Sequence, residues 1–300
     1  MLVHPNCLFN KCNIHIISNN IASANFRPHL LLSEWCEDFD IFIFQEIWWD
    51  KIGTGQSDSN PLGKDVLGTM NNPQWVTYLP PGRDARVAIY VSKHFIYKHN
   101  LTITPIPIHV PTGHMMGIRI SQGDAAVTII SIYNSAKAGR DFICEVVTVH
   151  NIDPQHKYLI AGDFNLHHPL WDSQVPANHV RGDARLLADW FLNNNIHIDN
   201  DPDTPTRRGQ PGQHDTVIDL IGLSTNGIYD GTFDPIAVRP DLNTGSDHYP
   251  ITTTIHLLQL DASPHSPTHS AASSGKQNKN GPPTPSLLWN RPKHLLFLFH

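Results

Sequence analysis

The segment LIAGDFNLHHPLWDS, residues 159–173, changes character at Gly162. Three apolar residues read as the end of a buried strand. A carboxylate, an aromatic, an amide, two histidines and a tryptophan follow at once. A polar cluster this dense after a buried run is either a turn or the rim of an active site. Asp163 and Asn165 would stabilise a tight turn through Asx hydrogen bonds, so the choice depends on what the rest of the chain brings to the same place.

The bulk properties narrow the classes. The chain has 300 residues, 40% of them hydrophobic, and a formal net charge of −6. No global basic field is available to hold nucleic acid, so such contact needs a local patch or a metal ion. Cys7, Cys12, Cys36 and Cys144 form no CxxC pair and read as free thiols in a reducing compartment. The N-terminus lacks the basic region and long apolar run of a signal peptide. No apolar run approaches the roughly 20 residues of a membrane span, and HLLFLFH at the C-terminus is too short. A non-secreted protein, nuclear or cytoplasmic and without a membrane partner, is expected. His4, Cys7, Cys12 and His15 make a poor zinc set, because His15 falls within the strand-like NIHIIS.

Strand-like runs recur at 14–17, 41–44, 87–91, 127–133, 158–162, 216–223 and 250–257, several rich in β-branched residues. Helical spacing appears from Pro28 to Asp38, from Asp141 to Asn151, and from Asp183 to Asn194 with Asp183 as N-cap. Many strands and few helices, not strictly alternating, predict an α+β fold of sheets packed on each other with helices outside. Residues 51–73, rich in Gly, Ser, Asn and Pro, read as a long loop. From about 261 the composition turns to Pro, Ser and Asn, too polar to offset chain entropy. The expected organisation is an N-terminal extension at 1–11, a folded domain at 12–258 and a disordered tail at 259–300.

Polar residues fall repeatedly at strand ends: Asn20 after the first run, Glu46 after the second, Asp163 and Asn165 after the fifth, and Asp247 and His248 before the last. Strand ends hold side chains rigidly at a shared rim. Each residue alone also reads as a turn, a cap or a solvated end. Asp219 is different, because Val217, Ile218, Leu220 and Ile221 flank it. A buried charge needs a partner, and His248 would serve. Glu46, Asp163 and Asn165 offer hard oxygen ligands of the kind Mg²⁺ takes beside waters and phosphate. A histidine held by a carboxylate moves protons or stabilises charge. Together these groups describe metal-assisted phosphodiester hydrolysis.

The motifs QE after one strand, GDFN after another and SDH before the last resemble the endonuclease/exonuclease/phosphatase superfamily, in order and over residues 12–258. The resemblance implies a four-layer α/β/β/α sandwich, two mixed sheets face to face with helices outside. It implies a divalent cation, Mg²⁺ with Mn²⁺ as alternative, and no organic cofactor. It implies metal contacts for Glu46, Asn20 and Asp247. Asp163 would orient or deprotonate the attacking water, and Asn165 would hold the phosphate. His248 would contact the scissile phosphate, Asp219 would orient that histidine, and Tyr133 would contact phosphate.

The longer GDFNLHHPLWD, with RVAIYVSK, SIYN, TPTRRG and TVIDLIGLS, resembles the endonuclease domains of non-LTR (LINE-like) retrotransposons. Such domains nick DNA and precede a reverse transcriptase, which is not read in this sequence. DNA is the implied partner. His167, His168 and Trp171 would shape the rim, with Trp171 either stacking on a base or sugar or packing under the loop. Arg83, Arg86, Arg181, Arg207 and Arg208 would face phosphates, with solvated surface as the alternative. A phosphatase or phospholipase of the same superfamily, or a non-catalytic relic domain, are the competing readings.

Overall fold

Apolar runs buried on both faces set the architecture. In the run 41–44, Ile41 and Ile43 enter one core while Phe42 and Phe44 enter another. Leu159 and Ala161 likewise face the first core, and Tyr158 and Ile160 a third. A strand covered on both sides reads as a continuous apolar run rather than an alternation.

A computed structural model describes residues 9–57, 60–69, 71–81, 85–106, 113–135, 153 and 155–260, without side chains for 9–11, 51–67 and 258–260. All of them fall within the unit Met1–Asp261. The expected helix 141–151, the tail beyond 260, Cys7, Cys144 and Arg83 lie outside the described residues.

The chain opens with β1 (Phe9–Asn20), α1 (Phe26–Glu34), β2 (Ile41–Gln45), β3 (Asp50–Ser57), β4 (Asn60–Gly68), β5 (Trp75–Tyr78) and β6 (Val87–Ser92). It continues through α2 (Lys93–His99), β7 (Thr102–Ile106), β8 (Met115–Gln122), β9 (Ala125–Tyr133), β10 (Tyr158–Asp163) and α3 (Gly182–Asn193). β11 (Ile196–Ile198), β12 (Asp219–Ser224), α4 (Thr225–Tyr229), β13 (Ala237–Val238) and β14 (Ile251–Leu260) complete it. One six-stranded sheet has the order β13-β14-β1-β2-β6-β5, and the other β11-β12-β10-β9-β8-β7. Each is mixed, with one parallel pair, β1 with β2 and β9 with β10.

The two sheets pack face to face. Ile14, Ile16, Ile89 and Ile255 of the first meet Ile118, Ile129, Leu159 and Ile221 of the second. Leu31 and Leu32 of α1 cover the outer face of the first sheet, against Phe42 and Phe44. Leu187 and Phe191 of α3 cover the outer face of the second, against Ile160 and Leu220. The result is a four-layer α/β/β/α sandwich.

Three local expectations change. Residues 51–73 are not one loop, because β3 and β4 pair as an antiparallel hairpin. Asp183 is not the N-cap of α3. Arg181 takes that position, and Asp183 sits buried in the first turn, where the Arg181 guanidinium holds it at 2.7 Å. Asp219 begins β12 rather than lying inside a strand from 216, because Thr216 bridges to Arg207 and the Ile218 and Asp219 N–H groups go to the Thr206 hydroxyl.

Register then gathers the polar strand ends. Asn20 pairs with Gln45, Tyr133 with Asp163, and Asp163 with Asp219. Ser18 pairs with Ile251, so residues 246–248 run just beyond the end of β1. Two parallel pairs and two antiparallel neighbours therefore deliver their polar residues to one rim. Gly162 is required there. A Cβ on it would lie 1.9 Å from the carbonyl oxygen of Ile132 on β9. Gly162→Ala should therefore lower stability by more than about 2 kcal/mol, read as a fall in the urea midpoint.

Candidate active site

The buried end of the site is built on Asp163, which has no exposed surface. Such a carboxylate must be hydrogen-bonded. Its Oδ2 accepts the Asn20 amide at 2.8 Å and the Asn165 amide at 2.9 Å, and its Oδ1 accepts the Asn165 backbone N–H at 2.9 Å. Burial, and then the neighbouring Asp219 carboxylate, push its pKa up from the ordinary carboxylate range. Asn165 adopts the left-handed backbone region, with φ 48°, which asparagine tolerates. Its side chain also donates to the Asn134 carbonyl at 2.8 Å.

Asn20 was expected to contact the metal. In this structure its amide oxygen accepts the Ala22 N–H at 2.8 Å, while its NH₂ group donates to Glu46 at 3.1 Å and to Asp163. Turning the amide over would set its oxygen against two carboxylates. Asn20 therefore orients both acids through its NH₂ group. Glu46 is half-buried and reaches a cleft of about 430 Å³ that Tyr133, His114, Arg86 and Asn165 also line. Its backbone is left-handed too, at φ 47°, a conformation that costs a residue with a Cβ about 1 kcal/mol. The Tyr133 phenol bonds to Glu46, and its pKa is raised by burial and then by that carboxylate.

His248 and Asp219 form the second part. His248 Nδ1 lies 3.0 and 2.8 Å from the two Asp219 oxygens, both residues being buried. A carboxylate only accepts, so Nδ1 carries the proton and Nε2 is left on the side of Asp247. Burial works against the charged ring, but Asp219, followed by Asp163 and Asp247, outweighs it and raises the pKa to about 9. Ligand atoms of Asp163, Asp219 and His248 lie within 4.8 Å of one another. Among the described residues this is the tight cluster of histidine and carboxylate groups. Asp247 leans the other way. Its Oδ2 accepts Arg207 Nε at 3.1 Å, and its Oδ1 lies 3.9 Å from His248 Nε2.

The rim residues divide. Trp171 is fully buried, its indole N–H donating to the Leu166 carbonyl at 3.0 Å. It packs under the loop with Phe164 and Phe191 and presents no face to a substrate, which corrects the stacking role. His168 folds back over it, ring centroids 5.0 Å apart, and accepts the Leu170 N–H. His167 is exposed and 3.5 Å from Asp172. Arg207 is occupied by Asp247, and Arg208 by the Tyr249 hydroxyl and ring.

Several supporting residues lie in or beside the quoted motifs but carry no role that the sequence alone assigns. The Thr206 hydroxyl accepts the N–H groups of Ile218 and Asp219, fixing the start of β12. Ser246 donates to the Asn20 carbonyl at 2.8 Å and accepts the His248 N–H at 3.2 Å, tying the SDH segment to β1. The Gln45 amide donates to Ser18 and Ser131, bridging the two sheets beneath the site. Asn134, next to the expected tyrosine, donates to the Phe164 carbonyl at 2.6 Å. Only its place after a strand could have marked it.

Residues 127–252 match the family model described as endonuclease-reverse transcriptase. The fold resembles that of the endonuclease domain of TRAS1, a telomere-specific non-LTR retrotransposon, with 17% identity, a TM-score of 0.57, and coverage of 82% of this chain and 99% of that one. The match and the fold liken the chain to the endonuclease/exonuclease/phosphatase superfamily. An AP endonuclease, LMAP from Leishmania major, shares the superfamily fold at 14% identity and a TM-score of 0.56, covering 81% of this chain and 87% of that one. So does a variant of the 3′ phosphatase NExo from Neisseria, bound to a product DNA hairpin, at 16% identity and a TM-score of 0.53, covering 80% of this chain and 98% of that one. No curated protein matches the sequence. Among the described residues, no helix is long and apolar enough to cross a membrane.

Two outcomes follow from the geometry. Glu46→Gly should be more stable than Glu46→Ala by about 1 kcal/mol, since only glycine adopts the left-handed region freely, as paired urea titrations would read. The second concerns pH. A folded pKa of about 9 for His248 lies above the ordinary 6.5, so its contribution is full below pH 6.5 and disappears as pH rises through 9. The raised pKa of Asp163 acts in the same sense. In EDTA, the wild type should lose a few kcal/mol relative to His248→Gln between about pH 6 and pH 9.5, at about 1.4 kcal/mol per unit.

Proposed function

We propose that this protein is a Mg²⁺-dependent endonuclease that nicks DNA and derives from a non-LTR retrotransposon. The observation that carries the reading is the convergence on one rim of the Glu46–Asn20–Asp163 chain of hydrogen bonds and the His248–Asp219 pair at 2.8 Å. The endonuclease-reverse transcriptase match over 127–252 supports the retroelement origin.

The donor set fits a hard divalent cation. One half-buried carboxylate, Glu46, opens on a polar cleft, and Mg²⁺ is held by one or two carboxylates with waters and substrate phosphate completing the shell. Bound there, the ion would supply Lewis-acid stabilisation of charge on the phosphate. The chain's own groups do the rest. Asp163, with its raised pKa, is suited to take a proton from an attacking water at neutral pH. Asn165, whose NH₂ group spans Asp163 and the Asn134 carbonyl, holds that acid at the rim where the phosphate would lie. His248 is protonated at neutral pH, and its Nε2–H stabilises the negative phosphoryl oxygens while Asp219 fixes the ring. The Tyr133 phenol, kept protonated, donates beside Glu46. Asp247 and Arg207, paired at 3.1 Å, border His248 on its outer side.

Full-length protein should relax supercoiled plasmid in Mg²⁺ and not in EDTA. Asp163→Asn, His248→Ala and Glu46→Ala should each lower nicking by at least about 100-fold while the circular dichroism spectrum is retained. Wild-type-like nicking by a folded variant would remove that residue from the mechanism. Hydrolysis of inositol phosphates without plasmid nicking would transfer the site to the phosphatase reading.

A further inference from the structure

Arg86, on one wall of the cleft beside Glu46, takes no part in the mechanism above. Arg86 leads into β6 with its backbone held on both sides. Its carbonyl accepts the Ile47 N–H at 3.3 Å, and its own N–H donates to the Gly113 carbonyl at 2.6 Å. The residue is thereby set between the Glu46 turn and His114. Its side chain is exposed and lines the cleft. Arg181, Arg207 and Arg239 are paired with aspartates, whereas Arg86 makes no ion pair among the described residues.

The neighbouring wall is flat. The His114 ring stacks on Tyr133, with centroids 5.5 Å apart and planes 22° apart. Its Nδ1 lies 3.0 Å from the Tyr133 carbonyl, which only accepts, so this nitrogen carries the hydrogen. Burial holds the ring below its ordinary pKa against the opposing Tyr133 hydrogen bond, and the Arg86 charge adds to the lowering. The space of about 430 Å³ lies in the roughly 300–1,000 Å³ range of ligand clefts and exceeds what one phosphate needs.

We propose that Arg86 binds the phosphate flanking the scissile one in a nucleic-acid strand, with the His114–Tyr133 pair as the wall for the intervening sugar. The inference rests on the nucleic-acid reading of the same site. A guanidinium grips phosphate oxygens through paired N–H donors. A polynucleotide carries a second phosphodiester one nucleotide away, which a single phosphomonoester does not. Arg86 thus selects chain over monomer, and acts on binding rather than on the chemical step.

The test measures equilibrium binding of the full-length protein to a labelled duplex oligonucleotide in EDTA, as a function of salt, so that no turnover is needed. Arg86→Gln should weaken binding about tenfold near 50 mM salt and lower the slope of log K against log salt by about 1. Arg86→Lys should keep the slope, because the charge remains. Arg239→Gln, whose arginine is already paired with Asp241, should match the wild type. An unchanged slope in Arg86→Gln, or an equal fall in Arg239→Gln, overturns the subsite. If the wild type nicks plasmid while that slope is unchanged, only the subsite falls. If the wild type binds no oligonucleotide yet hydrolyses inositol phosphates, the nucleic-acid reading fails and the subsite with it.

Discussion

A carboxylate with no exposed surface, Asp163, stands where the two sheets meet, and it depends on a donor from the opposite sheet. Asn20 at the end of β1 supplies that hydrogen bond at 2.8 Å. The same amide holds Glu46, and the Asn20 carbonyl accepts from Ser246, which in turn fixes the His248 backbone. His248 closes on Asp219, which pairs with Asp163 across β10 and β12. A buried acid left without partners is costly, so the sheets are locked in the one alignment that satisfies it. Packing between the inner faces alone would tolerate small slides; this bonded circuit does not.

The circuit also fixes the electrostatics. Asp163 and His248 both bind protons more tightly than isolated side chains would, the acid because it is buried and then because Asp219 crowds it, the histidine because it lies among three carboxylates. The rim is therefore not a simple negative patch. Most of the arginines near it are already matched, Arg207 to Asp247 and Arg181 to Asp183. In a chain of net charge −6, attraction for a polyanion has to come from few places, each of which counts.

Much of the sandwich was legible because its central strands are buried on both faces, and runs such as IFIF and YLIAG cannot be solvent-facing. Edges were not. β7 contains Pro105 and is mostly exposed, so it carries no apolar signature. The β3–β4 hairpin is written in Gly, Ser and Asn, which read as loop. α2 is too short for a periodicity and is set by its ends, Ser92 capping Phe95 N–H and Asn100 in the left-handed region. At the site, acids and His248 stood out by lying at strand ends. Thr206, Ser246 and Gln45 did not, because a hydroxyl or amide serving backbone groups looks like any other polar residue until the partner is known. Trp171 read equally as stacking on substrate or as packing beneath its loop, and burial decides for packing. Its loop is polar in sequence, yet Phe164, Leu166 and Trp171 fold inward beneath it to meet α3.

The first and last strands of the described domain lie side by side, β1 paired with β14 from Phe9–Leu260 to Ser18–Ile251. Until residue 260 has left the ribosome, β1 therefore presents a long unpaired edge carrying Ile14, Ile16 and Ile17. Such edges pair readily with other chains. His248 and Ser246 arrive on the same late segment. Synthesis thus keeps the nascent chain both adhesive and without its histidine until almost the whole domain exists, and closing the sheet and completing the site become a single event.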